Sequence, residues 1–168
     1  MNIIGRGKGW ENSPRDELSW GVTLTNLNRP VDLVIDMNVY EDGRWGEAER
    51  LGAIKSKEQA LLNNVPYVDL ESYPIKGIIS LFGIDYFTST VDYAIALAIY
   101  KRFDEINIYG VNMINSEEYS YQKPGVEYWI GQAMGRGIKV NVFGKQSTIL
   151  KTKDRKLYGY GIKQGGLI

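Results

Sequence analysis

Two residue types are missing from this 168-residue chain: it has no cysteine and no histidine. Without cysteine there are no disulfides, no thiolate zinc sites and no cysteine nucleophile, which suits a reducing compartment. Without histidine there is no Ser-His or Cys-His hydrolase, no imidazole metal ligand and no ready general base near neutral pH. Charge of one sign is also lacking in excess, since 20 Lys and Arg balance 20 Asp and Glu. No overall field therefore draws the molecule to nucleic acid or to an anionic membrane. Long apolar runs are absent too; the most apolar stretch, Tyr93 to Tyr100, is far short of the roughly 20 residues that span a bilayer, and the amino terminus has no signal-like apolar segment. A soluble, unexported, cytoplasmic protein without a membrane partner is expected. Its length fits one domain, and 43% hydrophobic with 24% charged residues is a composition that folds.

Strand-like and helix-like segments alternate. Asn2 to Ile4, Leu18 to Leu24 and Val31 to Met37 read as strands, the last rich in branched residues. Ser13-Pro14 followed by Asp16 and Glu17 predicts a brief capped helix. Glu47 to Asn63 reads as helix and Ile75 to Phe82 as a short apolar element of open type. Tyr86 to Tyr109 reads as a β-α-β crossover, a strand end at Tyr86 to Thr90, a helix with Val91, Ala94, Ile95, Ala98 and Ile99 inward, then the strand Ile106 to Tyr109. Gly125 to Gly135 predicts another helix, leading into the strand Ile138 to Phe143. The order predicts an α/β fold: a single Rossmann-like domain over residues 1–145, with a mostly parallel sheet and helices on both faces. Residues 146–168 read as a basic hairpin or tail, with seven Lys or Arg against one acid from Lys139 onward. That segment could also reach a neighbouring subunit in a homo-oligomer.

Gly5-Arg6-Gly7-Lys8-Gly9 follows the first strand and precedes the expected capped helix, the setting of a phosphate cradle. It is neither a Walker loop, lacking the terminal Gly-Lys-Ser/Thr, nor the dinucleotide fingerprint, since Trp10 takes the third glycine's place. A plain glycine turn bearing two solvated cations is the other reading. A valine at Gly7 is expected to block phosphate while sparing the fold. Thr88, Ser89 and Thr90 are expected at a strand's carboxyl end, opening a helix beside the same crevice, either on phosphate or ribose or as an empty N-cap. Tyr109 and Asn112 end the next strand, where a ring and a carboxamide suit a base and a ribose. Asp36 and Asn38 end the Val31 strand and could accept hydrogen bonds from a sugar, or Asp36 could sit at the surface. Glu117 to Lys123, containing Tyr121 and Gln122, reads as a polar aromatic loop able to close over a ligand. Neighbouring acids occur without the spacing of a metal site, so no metal and no cofactor is expected.

The segment Thr88-Ser89-Thr90-Val91-Asp92-Tyr93-Ala94-Ile95-Ala96-Leu97-Ala98, with Glu105-Ile106-Asn107-Ile108-Tyr109-Gly110-Val111-Asn112, resembles a pattern shared by bacterial CMP-sialyltransferases and archaeal 6-hydroxymethylpterin diphosphokinase-like Rossmann proteins. Gly5-Arg6-Gly7-Lys8-Gly9 looks like their Gly-Asn-Gly-Pro-Ser loop, and Trp20-Gly21-Val22 is similar to their second strand. Tyr119 to Pro124 and Gly131 to Val140 resemble small phage-encoded proteins of the same arrangement. The resemblance implies a Rossmann-like fold and a nucleotide-type ligand. It also marks departures. The sialyltransferases use a histidine base, which is absent; Arg6 and Thr23 stand where asparagines are usual, and Asn112 where aspartate is usual. The expectation is a phage-encoded binding protein that sequesters a host nucleotide immune signal. Its ligand residues would be Gly5, Arg6, Gly7, Lys8, Asp36, Thr88, Ser89, Thr90, Tyr109, Asn112, Tyr121 and Gln122. The alternative is a nucleotide-dependent glycosyl- or diphosphotransferase using Asp36 or a tyrosine in place of histidine. A nucleic-acid partner for the basic tail is the least favoured reading.

Overall fold

The computed structural model describes residues 1–41, 43–114 and 116–165. Six strands form one parallel sheet: β1 (Asn2–Ile4), β2 (Ser19–Val22), β3 (Leu33–Ile35), β4 (Tyr67–Val68), β5 (Glu105–Tyr109) and β6 (Lys139–Val142), in the order β4-β3-β2-β1-β5-β6. The chain winds outward from β1 to β4, then crosses back to place β5 on the other side of β1. That reversal between β1 and β5 makes the loops after them diverge, and the crevice between them is where open parallel sheets take ligands.

Helix α1 (Glu47–Leu62) connects β3 to β4, α2 (Ile75–Phe82) and α3 (Thr90–Tyr100) connect β4 to β5, and α4 (Glu117–Gly135) connects β5 to β6. The α2, α3 and α4 side holds the main core, in which Ile3, Trp20, Ile35, Ile106 and Ile108 of the sheet meet Ile78, Ile95 and Ile130. On the opposite side a smaller cluster joins Val31 and Val34 to Ala60 of α1. Helices thus cover both faces, as the alternating pattern requires. Trp129 is fully buried and its indole N–H donates to the Tyr86 carbonyl at 2.7 Å, so the largest core side chain is also polar-satisfied.

Local chemistry corrects three sequence expectations and settles one left open. Ser13-Pro14 starts no helix; Ser13 ends the 3₁₀ turn Trp10–Asn12, and its hydroxyl donates back to the Trp10 carbonyl at 2.6 Å. Tyr86 to Thr90 is no strand end, since no strand occurs there and Thr90 already opens α3; the short edge strand β4 supplies the sixth position instead. Glu117 to Lys123 is not a loop but the first two turns of α4, because Ser116 caps them by accepting from the Tyr119 N–H at 3.1 Å. Ile75–Phe82 is helical.

The basic segment is tied to the domain. Ile149 is fully buried in the main core, and beyond it Leu157 N–H donates to the Ile162 carbonyl around an antiparallel Lys156–Lys163 bridge. Residues 166–168 of that segment lie outside the described residues. Among the described residues, no helix is long and apolar enough to cross a membrane.

Candidate functional site

A cleft of about 620 Å³ opens at the carboxyl edge of the sheet over β1, β2 and β5. Of the residues singled out from sequence, Gly5, Arg6, Gly7, Thr88, Ser89, Thr90, Asn112 and Gln122 line it. Lys8, Asp36, Tyr109 and Tyr121 do not. Asn38, read with Asp36 as a sugar contact, and Tyr119, in the segment expected to close over a ligand, also line it, as do Thr23, Arg44, Trp45 and Phe87, which were not expected to. Thr23 follows β2 directly, a positional signal that could have found it; Trp45 sits in a turn whose place over the sheet no local pattern foretells.

The glycine loop is built by close approach to β5. Gly5 N–H donates to the Tyr109 carbonyl and Gly7 N–H to the Gly110 carbonyl, both at 2.8 Å. A Cβ at Gly5 would lie 2.6 Å from the Gly110 oxygen, and one at Gly7 would lie 2.7 Å from it. These glycines therefore exist to let two backbones touch, and their amides are spent on the sheet. Gly9 N–H is likewise taken, by the Glu11 carboxylate at 3.0 Å. With no α-helix following the loop, neither free amides nor a helix dipole makes a phosphate cradle at positions 5, 7 and 9. The loop's contribution to the cleft is the exposed Arg6 side chain.

The start of α3 is occupied from within. Asp92, fully buried, accepts from Thr88 N–H (2.6 Å), the Thr88 hydroxyl (2.7 Å), Ser89 N–H (3.1 Å) and the Ser89 hydroxyl (2.8 Å). Burial pushes the Asp92 carboxyl above its ordinary value, and these four donors pull part of the way back. Sequence reading placed the hydroxyls correctly at a helix start but missed the carboxylate that claims them. Thr90 and Val91 remain as the first-turn amides, which have no intrahelical acceptor. Helix α4 crosses directly above: a Cβ at Gly125 would meet the Thr88 hydroxyl at 2.1 Å and the Asp92 carboxylate at 2.5 Å.

Asp36 ends β3 behind the cleft wall. Its Oδ1 accepts from the Asn38 side chain at 2.7 Å, and its Oδ2 from the Tyr40 and Tyr67 hydroxyls at 2.8 and 3.1 Å. Burial raises the carboxyl, with the hydrogen bonds opposing, and raises both phenols. The cluster holds Asn38 at the cleft edge. Tyr109 stacks its ring on Phe143 at 4.5 Å and 2°, while Tyr121 projects from α4 at 70% exposure. Asn112 donates from its amide nitrogen to the Lys8 carbonyl at 3.1 Å, joining the two diverging loops. Gln122 donates to Glu118 at 2.7 Å.

Thr23 and Met113, both on the cleft, have φ of 57° and 48°. A left-handed conformation is strained for a β-branched residue, by about 1–3 kcal/mol, and strain of this kind gathers where a fold positions ligands. From below, the Ser147 hydroxyl donates to the Val111 carbonyl and the Thr148 hydroxyl to the Met113 carbonyl, so residues 147–149 form the support of the loop after β5. Among the described residues, no cluster of three or more potential metal ligands occurs.

No protein-family model matches this sequence, and no curated protein matches it. Its chain course is similar to that of a sialyltransferase. CstII from Campylobacter jejuni, in complex with the substrate analogue CMP-3FNeuAc, is 12% identical, with 96% of this chain and 84% of that chain covered at a TM-score of 0.41. CST-II with a trisaccharide acceptor and CMP is 13% identical, with 97% and 85% covered at 0.43. The fold itself is read from the strands and helices above.

Proposed function

We propose that the chain binds a nucleotide-type small molecule in the cleft between β1 and β5 and holds it without transforming it. The observation that carries this reading is the lining. Arg6 and Arg44 border the cleft together with Thr90 and the amides of Asn38, Asn112 and Gln122, and Glu118 is its acid among the described residues. Guanidinium groups suit phosphate oxygens, carboxamides suit ribose hydroxyls and base edges, and Trp45 and Tyr119 offer aromatic surface.

The placement of Asp36 supports holding rather than reacting. Asp36, one of the two stand-in bases of the transferase alternative, is buried, bonded on both oxygens and outside the lining, while the tyrosines that could replace it there are Tyr93 and Tyr119. A general base must reach the proton it takes. The finer role, sequestration of a host nucleotide signal by a phage protein, extends this reading through the sequence resemblance. In that role the amount of protein, not turnover, sets how much ligand is removed.

Native mass spectrometry of the protein purified from cells, followed by titration with CMP and other nucleoside mono- and diphosphates, tests the proposal. A retained or added nucleotide recovered intact after heat denaturation is the expected result. A cleaved or transferred product, lost in Glu118→Gln, would make the transferase the better reading.

A further inference from the structure

Helix α1 carries apolar side chains on two sides. Ala53, Ser56 and Ala60 are buried against the body, yet Leu51, Ile54, Leu61 and Leu62 are 58%, 56%, 66% and 83% exposed. At 100° per residue, Leu51, Ile54, Glu58, Leu61 and Leu62 fall on one stripe directly opposite the buried face, with exposed Lys55 along its edge. The spacing of Leu51, Ile54, Glu58 and Leu61 is three, four and three, the seam spacing of paired helices.

We infer that this stripe is the contact of a homodimer in which α1 pairs antiparallel with α1 of a second copy, about a two-fold axis that crosses the exposed stripe at the level of residue 56 along the helix. Charge decides the occupant. Glu58 sits in the middle of an otherwise apolar seam, where a carboxylate is costly unless a cation meets it. In the antiparallel pairing Leu51 faces Leu61 of the second copy, Ile54 packs beside Glu58, and Lys55 lies within side-chain reach of Glu58. The two-fold makes that ion pair twice. A stripe that matches itself end over end in both shape and charge is what an isologous interface requires. Four apolar anchors per copy make a small contact, so the dimer forms by mass action as concentration rises. The pairing is independent of the cleft's ligand.

Sedimentation velocity on the full chain from about 5 to about 500 µM tests this, because a weak dimer grows over such a range. The wild type is expected to shift from monomer to dimer. Ile54→Glu combined with Leu61→Glu is expected to stay monomeric with an unchanged melting temperature, since both side chains lie on the outer face. Lys55→Glu alone and Glu58→Lys alone are each expected to raise the dissociation constant several-fold, and the double exchange to restore it. A wild type monomeric throughout overturns the proposal and leaves the stripe to a different partner. A dimer untouched by the apolar substitutions overturns it as well, and single charge changes that the double exchange fails to rescue overturn the antiparallel register.

Discussion

The glycine loop after β1 and the first turn of α3 border the same cleft, and both carry the residues of an anion site. They differ in what already holds their amides. In the loop, Gly5 and Gly7 donate to the carbonyls of Tyr109, the last residue of β5, and of Gly110 just after it, so those amides cannot be freed without parting the ends of two central strands. At α3 the competitor is one side chain, Asp92, which a single substitution removes. The loop is thus committed to architecture, whereas the helix start is an anion site whose anion is built in.

The largest break of this comparison is at the loop. Gly5→Val forces a side chain against the Gly110 oxygen and the Val111 methyl, and overpacking of this kind costs about 1–3 kcal/mol or more. A melting temperature lower by several degrees is expected, and Gly7→Val should behave alike. Ligand loss in either variant would then come through the fold, contrary to the expectation that a valine at Gly7 spares it. An unchanged melting curve would mean the loop can move away from β5.

Asp92→Asn comes next. It leaves some of the four donors without a charged acceptor, at about 1–3 kcal/mol, and exposes first-turn amides to outside anions. Inorganic phosphate should protect this variant against thermal unfolding more than it protects the wild type. The pH dependence sharpens the contrast. Asp92 and Asp36 are both raised above 3.8 by burial, so the folded state holds their protons more tightly than the unfolded chain does. Their contribution to stability is full below pH 3.8 and is lost as pH rises through the raised values. Asp92→Asn should flatten that decline, and denaturation midpoints measured from acid to neutral pH check it.

Smaller effects remain at the rim. Arg6→Ala should weaken nucleotide binding by about 0.5–1 kcal/mol, with the difference shrinking as salt rises, because the side chain is exposed. Isothermal titration at two salt concentrations reads this. Tyr109→Phe and Tyr121→Ala should leave affinity within about 0.5 kcal/mol of wild type, since one ring is stacked on Phe143 and the other projects into solvent. A loss beyond that in Tyr121→Ala would place a base on the outer side of α4.

The parallel sheet and its switch point were legible because branched runs and the helix at Thr90–Tyr100 carry their periods openly. The chain order then forces β5 beside β1. Eight of twelve candidate site residues reached the cleft for the same reason: they follow strands or open helices at that edge. What stayed hidden depends on contacts between distant segments. Nothing local in Gly5-Arg6-Gly7 tells a phosphate amide from one bonded to β5. Asp92 carries no local sign of its role, which shows only where Gly125 lets α4 press onto it. The side-chain direction of Tyr109 was lost to the pleat, which turns it from the face that buries Ile108.

Gly110 shares the crowding of its partners, since a Cβ there would lie 2.8 Å from the carbonyl oxygens of both Gly5 and Gly7. Three positions from two distant segments therefore behave as a single inherited character. A lineage cannot exchange one of them for a larger residue and later adjust the others, because the first step already blocks the crossing. The Asn112 side chain, which donates to the backbone carbonyl of residue 8, 104 residues away, extends the linkage to a fourth position. Divergence should instead accumulate at Arg6, whose side chain leaves the crossing, so ligand preference can drift while the crossing stays fixed. Relatives of this chain should accordingly be traceable by the joint presence of Gly-x-Gly after the first strand and Tyr-Gly-Val at the fifth, even where overall identity has decayed.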